Sequence, residues 1–243
     1  MIRAILSIFL WPIWAMMFLF GGIIYSISII FLPSYRLHFL ARILARLFML
    51  FGGQWFRVRG TAPDPGKGPY LYLMNHESLF DGFMMVAGIR HYFTGVGAVE
   101  QFSYPVWGYL VKKYGVIPIV RQKQKTAITS MNTLEEAIKK GTSMMIAPEG
   151  TRTLTGKLGP FKKGAFHVAK NTGITIVPVG LIGAYKAKNK NDWRITPGVL
   201  TTVFGDPIVQ AEYEHLSLNE LQELVREKIS ILIVFLQDLL TPQ

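Results

Sequence analysis

Tyr70-Leu71-Tyr72-Leu73-Met74 is an unbroken apolar run, and the seven residues that follow it, Asn75-His76-Glu77-Ser78-Leu79-Phe80-Asp81, turn abruptly polar. A short run with no polar alternation reads as a strand buried on both faces, which is the habit of strands inside a parallel sheet. Asp81 then opens a helical stretch to Gly88. The same strand–turn–helix rhythm continues downstream. Helix is expected over Tyr104–Lys113, strand over Val116–Val120, and helix over Gln122–Lys140 up to the stop at Gly141. Strand follows over Ser143–Ala147, helix over Lys163–Asn171 up to Gly173, and strands over Ile174–Leu181 and Thr201–Phe204. Ser217-Leu218-Asn219-Glu220 is a capping box, the Ser and Glu side chains each serving the other's backbone amide, and opens a helix to about Leu240. Apolar strands alternating with helices give an α/β fold, a mixed, largely parallel sheet flanked by helices.

The polar turn after Met74 carries the chemistry. Histidine is the side chain best suited to take a proton near neutral pH. A carboxylate on its other ring nitrogen fixes the tautomer and stabilises the imidazolium. With His76 in the turn and Asp81 at the helix start, five residues fold back to hydrogen-bond distance. Pro148-Glu149-Gly150-Thr151-Arg152 also follows a strand, and small residues beside an arginine let amides and a guanidinium converge on an oxyanion. Gly150 to Gly156-Lys157 is not a nucleotide P-loop, because five residues intervene instead of four and Leu158 replaces Ser or Thr. Arg121, just after an apolar strand, offers a second phosphate contact. Pro178 inside Ile176-Val177-Pro178-Val179 suits an edge strand or one ending at the site.

Upstream the character changes. From Met1 to Pro63 there is no Asp, Glu or Lys, yet arginines stand at 3, 36, 42, 46, 57 and 59. Ala4 to Tyr35 is uncharged and exceeds the roughly 20 apolar residues needed to cross a bilayer. On a helical wheel His38, Arg42 and Arg46 form a thin basic stripe on an apolar helix, as expected at headgroup depth. The chain is half hydrophobic, with a net charge of +11 and a mean hydropathy of +0.30. Arginines set among Phe, Leu and Trp fit a phospholipid membrane and not nucleic acid. The Pro/Gly-rich stretch 60–69 divides membrane-associating helices, residues 1–59, from an α/β catalytic domain, residues 60–243. A transmembrane helix plus an interfacial one, and a hairpin in one leaflet, both fit. The absence of Cys excludes a thiol nucleophile and a Cys-zinc site, and no G-x-S-x-G elbow is present for a serine hydrolase.

Four blocks in order, NHESLFD (75–81), GVIPIVR (115–121), PEGTRT with GPFKKGAF (148–166) and IVPVG (176–180), resemble the glycerophospholipid acyltransferase family, specifically the bacterial 1-acyl-sn-glycerol-3-phosphate acyltransferases. The resemblance implies His76 as general base and Asp81 as its partner. It implies that Glu149, Gly150, Thr151, Arg152 and Arg121 hold the glycerol phosphate of lysophosphatidic acid. The acyl donor would be acyl-CoA or an acyl carrier protein thioester, with no metal and no further cofactor. The setting would be the cell membrane, monotopic or single-pass, with the catalytic domain facing the cytoplasm. Ala147 stands where an aromatic is common in the family, and Glu100-Gln101 where a lysine is frequent.

Overall fold

The computed structural model describes residues 1–120 and 124–240, the side chains of 124–128 and 235–240 excepted. Seven strands form one sheet in the order β1-β7-β6-β2-β5-β3-β4. They are β1 (Gln54–Arg59), β2 (Tyr70–Met74), β3 (Phe93–Ala98), β4 (Ile117–Ile119), β5 (Ser143–Ile146), β6 (Thr175–Ile182) and β7 (Gly198–Phe204). Neighbours are parallel except β6 and β7. The mixed, largely parallel sheet expected from the sequence is therefore the sheet observed.

All five residues of β2 are buried, as its apolar run requires. Period-two alternation sends Tyr70, Tyr72 and Met74 into one core with Met84, Met85 and Phe204, and Leu71 and Leu73 into a second core with Phe166, Val225 and Ile229. The first core lies against α3 (Asp81–Gly88), and the second against α6 (Gly164–Thr172) and α9 (Leu218–Leu240). The other helices are α1 (Ile2–Phe31), α2 (His38–Phe51), α4 (Trp107–Tyr114), α5 (Gln124–Lys139), α7 (Ala184–Lys188) and α8 (Gln210–Tyr213).

Three features differ from expectation. β1 and β3 were not foreseen: Gln54-Trp-Phe-Arg-Val-Arg59 is mostly exposed and arginine-rich, and β3 carries Gly95 and Gly97 in place of the β-branched residues that signal a strand. The sheet thus reaches back to Gln54, across the boundary that composition places at Gly60. Pro178 lies in an interior strand and not at an edge, and of its two expected settings the second holds, since β6 ends at the site where Leu181 pairs with the Asn75 side chain. The Pro178 carbonyl accepts from Gly205 just beyond the end of β7, so its missing N–H falls where that ladder has run out. His38 does not share an outward basic stripe. It is buried, with Nδ1 bonded to the Tyr114 hydroxyl (2.8 Å) and Nε2 to the Ile89 carbonyl (3.1 Å).

The outward side of α2 exposes Phe39, Ile43, Leu50 and Phe51 together with Arg46. α1 is long and apolar enough to cross a membrane, and it exposes Phe9, Phe20 and Ile27 among others. The two helices approach closely at Gly21, where a Cβ would meet the Phe48 ring at 2.6 Å. The N-terminal end of α1 is fastened to the loop before β7. Arg3 pairs with Asp192 (3.1 Å), the buried Ser7 hydroxyl accepts from Ile195 N (2.8 Å), and the Trp11 indole donates to the Trp193 carbonyl (2.8 Å).

Candidate active site

The site forms where β2 and β5 end at the carboxyl edge of the sheet, the usual place for ligand chemistry in parallel α/β folds. Asn75 fixes the exit of β2. Its side chain accepts from Leu181 N (2.7 Å) and donates to Leu181 O (2.9 Å), imitating a strand partner. His76 follows, and its Nδ1 lies 2.6 Å from Asp81 Oδ2, so the five-residue separation folds back as its spacing suggests. The same oxygen accepts from the amides of Glu77 (2.7 Å) and Ser78 (2.9 Å). Asp81 is 1% exposed and serves as the hub of the turn, whereas the His76 side chain is 20% exposed, open to an incoming group. Fixing Nδ1 against a carboxylate leaves Nε2 as the proton acceptor of the neutral ring.

Glu149 and Arg152 come from the block after β5. Glu149 is buried, and both of its oxygens are occupied: Oε1 accepts from His76 N (2.8 Å) and Oε2 from Gly159 N (2.8 Å). A Cβ at Gly159 would meet Oε2 at 2.8 Å, so this close approach needs glycine. Glu149 therefore ties three loop segments together. Burial raises its pKa, opposed by those two amide bonds. Gly150 turns with a φ of +72° and donates to Ala147 O (3.0 Å). Thr151 is exposed and Arg152 half-buried, while the next amide, Thr153 N, donates to His76 O (2.8 Å). His76, Asp81 and Glu149 thus belong to one hydrogen-bonded unit, and Gly150, Thr151 and Arg152 lie on the loop between Glu149 and Thr153, both of which are tied to the His76 backbone. Arg121 lies outside the described residues.

Ser78 is unsuited to nucleophilic attack, because it is buried and its hydroxyl donates to the Lys188 carbonyl (2.7 Å). Glu77 accepts from Asn75 Nδ2 (3.1 Å) and Tyr185 N (2.9 Å). Burial first, and then the Asp81 charge, push its pKa up to about 8. A cavity of about 210 Å³ lies beside this unit, lined by Asn75, Glu77, Glu149, Thr153, Lys157 and Leu158 together with residues of α9. The tyings made by Gly159, Tyr185 and Lys188 carried no sequence signal, since all three act through backbone atoms. Among the described residues no group of three His, Asp or Glu side chains is placed to hold a metal ion.

A buried carboxylate orienting a part-exposed imidazole, beside an arginine loop on an α/β sheet, has the chemistry to remove a proton next to an anion. The chain belongs to the acyltransferase family, whose model matches residues 56–182. It is 30% identical over 220 residues to the 1-acyl-sn-glycerol-3-phosphate acyltransferase of Haemophilus influenzae, 89% of each chain. It is 33% identical over 181 residues to the enzyme of that name from Cocos nucifera, covering 74% of this chain and 58% of that one. The chain spans about half the length of the plant relatives it matches. The fold is that of the 1-acyl-sn-glycerophosphate acyltransferase PlsC from Thermotoga maritima, with a TM-score of 0.81 at 19% identity over 99% of this chain and 97% of that one.

Proposed function

We propose that the protein transfers a fatty acyl group from a thioester, acyl-CoA or acyl carrier protein, to the 2-hydroxyl of 1-acyl-sn-glycerol-3-phosphate, giving phosphatidic acid. The 2.6 Å contact between His76 Nδ1 and Asp81 Oδ2 carries this reading. It leaves Nε2 to take the hydroxyl proton while the acceptor oxygen attacks the thioester carbonyl. The new C–O bond forms, the C–S bond breaks, and the leaving sulfur recovers the proton from the imidazolium. General-base help contributes roughly 10²–10⁴-fold, so positioning of both substrates supplies much of the rest. Arg152, assisted by Arg121, would hold the acceptor phosphate. Glu149, whose oxygens are committed to amides, acts as a positioning residue that keeps His76 against the arginine loop.

Lysophosphatidic acid resides in a bilayer, and α1 and α2 supply the membrane contact of this reading. Their exposed apolar residues would meet lipid, and the exposed Arg46 of α2 the anionic headgroups. The protein is read as a cell-membrane protein, monotopic or single-pass, with its catalytic domain on the cytoplasmic side.

A panel of acceptors offered to the purified protein in vesicles tests the substrate. Lysophosphatidic acid should give the highest kcat/KM, ahead of glycerol 3-phosphate and of other lysophospholipids. Exclusive use of an acceptor without a phosphate would defeat the proposal.

A further inference from the structure

Two cations flank the His76 turn, and no ion pair joins either of them to a carboxylate among the described residues. Arg152 immediately precedes the amide that donates to His76 O. Lys188, the last residue of α7, offers its carbonyl to Ser78 Oγ at 2.7 Å. Each is therefore one hydrogen bond removed from the turn that carries the base. Lys188 is only 8% exposed, an unusual depth for a lysine. Its ammonium gives one bond to Asn189 O (2.7 Å), leaving two of its three donors. The acid of the same loop, Asp192, is already engaged by Arg194 Nε and NH2 and by Arg3 NH1. Burial, and next the charge of Arg152, hold the Lys188 pKa below the ordinary lysine value against the opposing pull of Asp192. Like charges confined together in this way cost free energy that a shared anion would relieve.

We propose that Lys188 is the second arm of an anion clamp with Arg152, gripping the acceptor phosphate so that the adjacent hydroxyl meets His76. The acceptor's identity rests on the function proposed above, whereas the clamp itself concerns the phosphate. Arg152 supplies a flat fork and Lys188 a compact, rotatable point charge, so together they fix a phosphate from two directions.

The test measures equilibrium binding of 1-acyl-sn-glycerol-3-phosphate and of phosphate-free 1-monoacylglycerol to the full chain in detergent micelles. Lys188→Met should weaken the phosphate-bearing ligand about tenfold or more, in keeping with loss of a charge-assisted hydrogen bond. The monoacylglycerol should be affected less than about twofold by the same reasoning. Lys188→Arg should keep most of the affinity, and the exposed neighbour's variant Lys190→Met all of it. On the unaltered protein, the phosphate-bearing ligand and not the monoacylglycerol should shield Lys188 from an amine-reactive reagent, a readout independent of any variant's folding. Unchanged binding by Lys188→Met, equal loss of both ligands, or no shielding overturns the clamp. A protein that binds lysophosphatidic acid with the predicted Lys188 dependence yet fails to acylate it overturns the proposed function and leaves the clamp standing.

Discussion

His76→Ala is expected to lower kcat for acyl transfer by about 10²–10⁴-fold, the range of general-base catalysis, while folding and vesicle association remain as in the unaltered protein. The side chain is part-exposed and its recorded hydrogen bond is the one to Asp81, so its removal opens no large core cavity. Asp81 keeps two of its three donors, the amides of Glu77 and Ser78. The turn therefore survives without its base. Circular dichroism, flotation with vesicles and initial rates on the same preparation separate the effects. Full activity would leave the proposed chemistry without a proton acceptor.

Asp81→Asn is expected to come next, with a loss on the order of 10³–10⁴-fold in kcat, the scale seen when the acid of a serine-hydrolase triad becomes an amide. Asparagine keeps the shape and one oxygen to accept the turn's amides. It removes the charge that stabilises the imidazolium and no longer enforces the tautomer with Nε2 free. Asp81 Oδ1 is buried without a partner among the described residues, so an amide nitrogen placed there would be unsatisfied, costing roughly 1–3 kcal/mol of stability. Activity should thus fall by far more than the folded fraction does. A variant with unchanged kcat and a lowered melting temperature would make Asp81 a structural hub alone.

The parts of the fold legible in the sequence were those governed by local pattern. β2 announced itself by five consecutive apolar residues, and α9 by its capping box, in which Ser217 N donates to Glu220 Oε2 at 2.7 Å. β3 was hidden because glycine lacks the side chain on which strand propensity depends, and β1 because an exposed arginine-rich strand resembles an interfacial segment. At the site, the His76–Asp81 contact was legible because five residues close on themselves. Glu149 was expected among the groups that hold the glycerol phosphate, and only the tertiary fold brings Gly159 N and His76 N onto its two oxygens. His38 likewise joined the basic stripe on a helical wheel, but a wheel does not reveal which face Tyr114 and Ile89 will cover.

The claim that His76 works as a base, and not as a relay for an enzyme nucleophile, is tested most directly by the intact mass of the protein after exposure to acyl thioester with no acceptor present. Direct transfer predicts an unmodified mass, followed on addition of lysophosphatidic acid by phosphatidic acid and free thiol in equal amounts. Stoichiometric acylation of the protein, on Ser78, His76 or any other side chain, that is discharged when the acceptor arrives would contradict it.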